Sequence, residues 1–415
     1  MKILIWSQYF WPEIFKINQM ATMLHKLGMK ITVLTGKPNY PCGNILPNYR
    51  IAGVQYEIFS GIDVIRIPLL PRKKGSAIHL AINYLSFIFS GFIFAPIVLR
   101  REKIEVIFVY ATSPLLQALP AIFVSWIKRV PLIIWVQDIW PEALESTGYV
   151  KNKCLLSIVR LFVRYIYRSA DSILIQSEAF RESVVQYVHR EDKIFYYPNS
   201  VEDIIQNIAL KENTKSPFIY DMEQYFSVIF TGNIGTAQSC ESILIAAEKL
   251  LGNQEIHFYL IGTGSQAESI AEKINQRKLT NVTMTGQQNY DSMPAIYAAA
   301  SVLLVTLRRG LDLAATIPSK LQTYLAAGKP IIACLDGEAA RIVRESNAGF
   351  DCPAEDAVGL ANTIMKLYNM TSEERLKLGA NGLNYYKTHF ELKERALELV
   401  EHLKNIVVSN KRKKN

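Results

Sequence analysis

The 415-residue sequence predicts an α/β protein built from two doubly wound parallel sheets in series. Three observations carry that expectation. Solid β-branched and aliphatic runs recur along the chain without polar alternation, as in strands buried on both faces. Stretches with helical apolar spacing separate them, which is a βαβ rhythm. The rhythm breaks once, at Tyr197-Pro198-Asn199-Ser200 and the polar stretch to Ser216-Pro217, and then restarts.

Taken in order, the first half offers strands at Lys2–Trp6, Ile31–Thr35, Val64–Ile67, Val106–Tyr110, Leu132–Val136, Ser172–Gln176 and Ile194–Tyr196. Helical segments such as Phe15–Leu27, Leu115–Ile127 and Leu155–Arg168 lie between them. The second half offers Ser227–Thr231, Ile256–Ile261, Val282–Thr285, Ser301–Thr306 and Pro330–Cys334. A last helix, about Leu392–Ile406, carries Ala396, Leu397, Val400 and Leu403 at helical spacing. The expected domains are 1–205, 206–385, and a 386–415 helix with a basic tail that could pack back on the first domain. Open α/β sheets bind ligands at the carboxyl ends of their strands, so the expected site is a cleft faced by both sheets.

Composition narrows the class. Length alone allows two domains or three at about 100–200 residues each. Half the residues are hydrophobic and 20% are charged, which excludes a disordered chain. Lys plus Arg number 46 against 37 Asp plus Glu, a formal charge of +9. That excess favours an anionic partner. The basic residues are scattered, without the clustered stripe that nucleic acid needs, so no nucleic-acid partner is expected. The five cysteines, Cys42, Cys154, Cys240, Cys334 and Cys352, include no Cys-x-x-Cys pair and read as free thiols of a reducing compartment. The apolar N-terminus turns polar at Ser7-Gln8, too early for a signal peptide, and reads as a first strand.

Ile78–Leu99 stands apart. It has no Asp, Glu, Lys or Arg, with Arg72, Lys73 and Lys74 before it and Arg100 and Arg101 after. Its length is near the ~20 residues that span a bilayer. His79, Asn83, Ser86, Ser90, Gly91 and Pro96 interrupt it, and its basic flanks are symmetric. A buried core helix, a helix in the membrane interface and a true span are all open. The interface fits the polar interruptions and the flanks together. The basic tail Lys411-Arg412-Lys413-Lys414 reads as solvated, with docking on anionic lipid the alternative.

The second half holds the densest chemistry. Thr231-Gly232-Asn233-Ile234-Gly235 follows a strand and precedes a helix, where glycines let backbone N–H groups approach an anion. A simple tight turn is the rival reading. Gly262-Thr263-Gly264 closes the next strand and, with Gln287, is a candidate nucleotide contact. Arg308 and Arg309 precede Ile317-Pro318-Ser319-Lys320, and Pro318 suits the first position of a helix ended by Gly328 and Pro330. That helix N-terminus, with Ser319, Lys320 and two arginines, could hold a diphosphate by dipole, hydrogen bonds and charge. Solvated charge around an ordinary helix end is the rival. In the first half, aromatics, prolines and carboxylates cluster after strands at Trp11-Pro12-Glu13 and Gln137-Asp138-Ile139-Trp140-Pro141. Aromatic faces with carboxylates suit a sugar, so Trp11, Glu13, Asn18, Gln137 and Asp138 are candidate acceptor contacts. Asp138 is the candidate acid or base, with a structural cap as its rival. No metal cluster is visible in the pattern.

The two-sheet layout, Gly232-Asn233-Ile234-Gly235, Gln137-Asp138-Ile139-Trp140-Pro141, Pro198-Asn199 and the Ile317-to-Pro330 segment together resemble glycosyltransferase family 4. They are most similar to its bacterial O-antigen and capsule branch of L-fucosamine (N-acetyl-L-fucosamine) transferases. The resemblance covers nearly the whole chain. It implies the GT-B fold, two Rossmann-like domains facing a cleft. A nucleotide-sugar donor would bind the C-terminal domain and an acceptor the N-terminal one. It also implies retaining transfer without an enzyme nucleophile, and no metal or other cofactor. The chain departs from the family pattern in two ways. The paired glutamates beside the donor correspond to Ala315 and Thr323, so a carboxylate for the ribose is missing. The family histidine before the aspartate is Gln137, and the basic pair after the first glycine corresponds to Asn233 and Gln238. Diphosphate charge then falls to Lys320 and to Arg308 or Arg309, with Thr323 nearby, and Lys320 joins Asp138 as a catalytic candidate. The expected reaction moves a sugar from a UDP donor to a polyprenyl-diphosphate-linked saccharide at the cytoplasmic membrane face. A same-fold nucleotide-sugar epimerase and a non-catalytic sugar-nucleotide-binding membrane protein are the alternatives.

Overall fold

The computed structural model describes residues 1–73, 77–146, 152–202 and 217–412. Lys74, Lys413, Lys414 and most of the polar stretch before Pro217 lie outside the described residues. The chain divides into two units, Met1–Asn199 with Leu392–Asn415, and Ser200–Glu391. The boundaries thus fall at 199/200 and 391/392, not at 205/206 and 385/386. The physical reason is local: Tyr386 and Phe390 are buried in the core of the second unit, and the Tyr386 hydroxyl donates to the Val201 carbonyl at 3.0 Å.

The first unit is an eight-stranded sheet. Its strands are β1 (Lys2–Trp6), β2 (Lys30–Thr35), β3 (Gln55–Phe59), β4 (Ile62–Arg66), β5 (Val106–Ala111), β6 (Leu132–Val136), β7 (Ser172–Ile175) and β8 (Ile194–Tyr196). Their order is β3-β4-β2-β1-β5-β6-β7-β8. Every pairing is parallel except β3 with β4. The central strands are uniformly buried, as their unalternating aliphatic sequences require. Strand β3 was not expected. Gln-Tyr-Glu-Ile-Phe alternates in burial at this sheet edge, with Tyr56 and Ile58 on the exposed face. Its hairpin turns through Ser60 (φ 49°) and Gly61 (φ 81°), the two left-handed residues that such a two-residue turn demands.

The second unit is a six-stranded parallel sheet of β9 (Phe226–Thr231), β10 (Ile256–Ile261), β11 (Val282–Gly286), β12 (Val302–Thr306), β13 (Ile331–Cys334) and β14 (Gly349–Cys352). The order is β11-β10-β9-β12-β13-β14. Strand β14 was also unexpected, since it opens on glycine. A Cβ at Gly349 would stand 1.9 Å from the Ile331 carbonyl oxygen, so only glycine lets β14 pair with β13 there.

Two helices of the first unit bear on its core and on its surface. The last helix, Leu392–Arg412, buries Ala396, Leu399, Leu403 and Val407 in the core that also holds Ile17, Met20 and Leu24 of the helix Lys16–Lys26. The apolar segment forms the helix Ala77–Val98. One face is core: Asn83, Phe87, Gly91 and Ala95, four residues apart, are buried. Gly91 lies so close to Pro120 and Trp6 that a Cβ would meet them at 2.7 and 3.0 Å. Asn83 is no mere interruption. Its Nδ2 donates to the Leu70 carbonyl at 2.6 Å and to Asn39 Oδ1 at 3.3 Å, and its Oδ1 accepts from Gln8 Nε2 at 2.8 Å. The opposite face exposes Ile78, Phe89, Ile93 and Ile97. Phe87 lies on the core face.

Candidate active site

Strand β9 ends at Thr231, and the chain leaves it through Gly232 at φ 113°, left-handed backbone that favours glycine. The exit of β10 lies beside it. Gly232 N–H donates to the Ile261 carbonyl at 2.7 Å, Ile234 N–H to Thr263 at 2.9 Å, and Gly262 N–H to Gly286 at 2.9 Å. The first two bonds zip the two glycine loops together, the third ties Gly262 to the end of β11, and a Cβ at Gly262 would stand 1.9 Å from the Gly232 oxygen. The N–H groups of Gly232, Ile234 and Gly262 are therefore committed to backbone and do not form the anion cradle that the sequence suggested. Nor does the loop lead straight into a helix. A short turn, Thr236–Gln238, intervenes before the helix Cys240–Lys249.

The anion-directed group comes from another element. The helix Ser319–Ala326 starts one residue later than expected, with Pro318 at its N-cap in extended conformation (ψ 135°). The first turn of a helix leaves N–H groups without intrahelical partners and carries positive dipole. Lys320 stands in that turn, and its stem runs against Gly232, where an added Cβ would meet Lys320 Cε at 2.8 Å. Its Nζ is buried, has no hydrogen-bond partner among the described residues and lies 3.6 Å from the Phe230 ring centroid. Burial holds the amine down at about pKa 7, the Cys240 thiol opposing only weakly. Cys240 is itself pushed up to about 11 by burial. A buried ammonium is expensive unless paired, so this amine is suited to an anion that the described residues do not supply.

Thr231, Gly232, Gly262, Gln287, Ser319, Lys320 and Thr323 meet around one cavity of ≈ 270 Å³, together with Ile261, Gln288, Met293 and Tyr297. A hydroxyl network backs its lining residues Thr231 and Tyr297. Tyr324 Oη accepts the Thr231 N–H at 2.9 Å and lies 3.0 Å from Thr231 Oγ1, which is 3.4 Å from Tyr297 Oη. The sequence reading missed Tyr324, Tyr297 and Phe230. Tyr324 was recoverable, since it follows Lys320 by four residues on one helix face.

Other candidates stand outside this cavity. Arg308 is exposed, and the Arg309 guanidinium turns away, with Nε donating to the Ala354 carbonyl at 3.1 Å. Neither arginine lines the wall beside Lys320. Asn233 Nδ2 donates to Gln238 Oε1 at 3.3 Å, so these two positions satisfy each other. Ala315, Thr263, Gly264, Gly235, Ile234 and Pro318 are likewise not in the lining. Thr323, at the position of the missing carboxylate, bonds back to the Ser319 carbonyl at 3.1 Å.

In the first unit, Asp138 Oδ2 accepts both the N–H (2.7 Å) and the Oγ–H (2.8 Å) of Ser113, and Trp140 Nε1 donates to the same Oγ at 3.1 Å. Gln137 is buried at the carboxyl end of β6. Its Oε1 accepts from Asn199 at 2.9 Å, while its Nε2 is buried with no hydrogen-bond partner among the described residues. Glu13 and Asn18 do not face outward as acceptor contacts. Glu13 is buried, and its Oε1 accepts the N–H groups of Asn39 and Tyr40 at 2.8 and 2.7 Å. Desolvation raises it to about 7 against those bonds. Asn18 clips the loop, accepting from Trp11 N–H at 3.1 Å and donating to the Glu13 carbonyl at 2.6 Å. Both order the exits of β1 and β2 because buried polar backbone needs partners. Trp11 remains partly exposed, stacked on Phe59 at 5.1 Å. Among the described residues, no group of three or more His, Cys, Asp or Glu stands together as a metal set.

Residues 16–200 match the glycosyl transferase 4-like domain, and residues 225–370 match the glycosyl transferases group 1 family. The chain is a glycosyltransferase of the GT-B fold. The Pseudomonas aeruginosa protein WbjE, named a probable glycosyltransferase, is 26% identical over 286 residues, 68% of this chain and 70% of that relative. The Escherichia coli protein WcaI, whose name assigns it to glycosyl transfer in colanic acid biosynthesis, is 25% identical over 339 residues, 79% of this chain and 82% of its own. The crystal structure of Anabaena HepE in complex with UDP superposes with a TM-score of 0.70 at 16% identity, covering 98% of this glycosyltransferase and 100% of that chain.

Proposed function

We propose that this glycosyltransferase moves a sugar, N-acetyl-L-fucosamine, from a UDP donor to a polyprenyl-diphosphate-linked saccharide in O-antigen or capsule assembly, without a metal. The observation that carries the donor half is the buried Lys320 Nζ, with no hydrogen-bond partner among the described residues, at a helix N-terminus on the cavity wall. Catalysis rewards charge placed where charge develops, and the leaving UDP gains negative charge at its diphosphate. Lys320 and the orphan N–H groups of Ser319 and Lys320 supply the opposite charge. Gln287 and Gly262 border the nucleoside, and the hydroxyls of Thr231, Tyr324 and Tyr297 back the lining. Asp138 serves the acceptor hydroxyl from the first unit, its Oδ2 oriented by Ser113. UDP in HepE and the polysaccharide role in the name of WcaI support this reading. The enzyme works as a peripheral protein on the cytoplasmic face of the inner membrane. The outward stripe of Ala77–Val98 brings it to its lipid acceptor, since that helix exposes apolar side chains while its other face is core.

The test is a thermal-shift panel of UDP-, GDP- and dTDP-sugars followed by transfer to a polyprenyl-diphosphate saccharide. Stabilisation by UDP and its amino-deoxysugar, with transfer, is expected. Stabilisation by GDP alone, or UDP-sugar binding without transfer to any lipid acceptor, would overturn the reading.

A further inference from the structure

The helix Lys153–Ser169 carries three stripes along its length. At 3.6 residues per turn, Leu156, Val159, Val163 and Ile166 fall on one side and are buried. Leu155, Ile158, Leu161, Phe162 and Tyr165 fall on another and are exposed, Leu161 at 63%. Lys153, Arg160, Arg164 and Arg168 form the third, also exposed. An exposed apolar stripe beside a basic one has no use in a core.

The neighbouring helices extend the same surface. Helix Ala118–Lys128 packs between Lys153–Ser169 and Ala77–Val98. It exposes Phe123, Ile127 and Trp126, the last at 74%. Phe123 lies 5.7 Å from Phe92 of the helix Ala77–Val98. On its other side Leu119 joins Ile158, Leu161, Phe162 and Tyr165 around an apolar groove of ≈ 490 Å³. None of the three helices contains an Asp or Glu. Arg160 of the basic stripe pairs with Glu145, outside these helices, at 2.7 Å.

We infer that the exposed stripe of Lys153–Ser169, with Trp126 and Phe123, is a second membrane contact that seats this face on an anionic lipid bilayer. The inference extends the membrane part of the proposed function from one helix to three, and rests on it. Apolar side chains enter the acyl boundary while neighbouring arginines meet lipid phosphates, which is how interfacial helices bind. Charge selects the bilayer over a second copy of this chain, because a two-fold pairing of this face would set the arginine stripe near itself.

Flotation of the full chain with phosphatidylglycerol-containing and pure phosphatidylcholine vesicles tests it. Arg164→Gln with Arg168→Gln should weaken binding to the anionic vesicles about fivefold per arginine, roughly 25-fold for the pair. Leu161→Ser with Phe162→Ser should abolish most of the binding that survives high salt, although Ala77–Val98 is intact. These side chains are exposed, so circular dichroism and the UDP thermal shift should stay at parental values. Flotation like the parent's in both variants would overturn the inference. So would a parental dimer in lipid-free sedimentation that these changes dissociate, since a copy of the chain then covers the face. A parent that floats as expected but shows no UDP shift would instead count against the donor reading.

Discussion

A Cβ added to Gly232 would stand 2.8 Å from the Cε of Lys320, so the end of β9 and the first turn of Ser319–Ala326 are fitted to each other through one missing side chain. Gly232→Ala must both strain φ 113° backbone and displace the lysine stem. We expect a loss of about 1–3 kcal/mol in unfolding free energy from the backbone, with UDP affinity falling further than stability predicts. Lys320→Ala should leave the fold intact and weaken UDP by about 1.5–3 kcal/mol, the worth of a charge-assisted contact, while abolishing turnover. Calorimetric titration checks both; parental activity in Lys320→Ala removes the lysine from the site.

The depressed amine makes binding pH-dependent, with a definite sign. Free Lys320 loses its proton through about pH 7, whereas a bound diphosphate holds the proton on to higher pH. Above 7, binding must take up a proton, so UDP affinity should fall by up to tenfold per pH unit and level off at the bound-state pKa. Below 7 this group contributes no slope. Lys320→Arg keeps its charge throughout and should flatten the profile between pH 7 and 9. An equal slope in parent and Lys320→Arg would place the titration elsewhere.

Asp138 offers a clean separation of capping from catalysis. Both Ser113 donors meet one oxygen, Oδ2, and an asparagine carbonyl can accept the same two bonds. Asp138→Asn should therefore keep parental thermal stability and UDP affinity but lose more than tenfold in turnover. Asp138→Ala should also destabilise, by roughly 1–3 kcal/mol for the unpaired donors. Full turnover in Asp138→Asn would reduce the residue to a cap.

Asn83 decides how the apolar helix is held. Its amide bonds Gln8, Leu70 and Asn39 inside the first unit. Asn83→Leu should lower unfolding free energy by about 2–4 kcal/mol, because buried partners lose their bonds. Urea denaturation measures this. Within a lipid-embedded span the same change would be neutral or favourable, so unchanged stability would contradict the packing described here. The phenylalanine set for membrane tests follows: Phe89 and Phe92 are exposed, whereas Phe87 belongs to the core.

The sequence by itself determined the two parallel sheets, because strands buried on both faces must be written as unbroken apolar runs. Leu132–Val136 and Ile256–Ile261 could be read to the residue for that reason. Lys320 was legible too, since Pro318 before it and Gly328 after it mark the ends of a helix. Strands β3 and β14 were not, as an alternating edge strand and a glycine-led strand lack that signature. What only the tertiary structure decided was where polar groups spend their hydrogen bonds. Glu13 and Asn18 read like ligand contacts, yet Glu13 is tied to the Asn39 and Tyr40 N–H groups of the loop after β2, and Asn18 to the Trp11 N–H and the Glu13 carbonyl. The glycine loops read like an anion cradle, yet the Gly232, Ile234 and Gly262 N–H groups are spent on the carbonyls of Ile261, Thr263 and Gly286. Arg309 carries the same charge as Lys320, yet the Ala354 carbonyl claims it, while the lysine is left buried with no hydrogen-bond partner among the described residues. Charge and residue type are local properties of a sequence; the supply of partners around a buried polar atom is set by chain segments far apart in it.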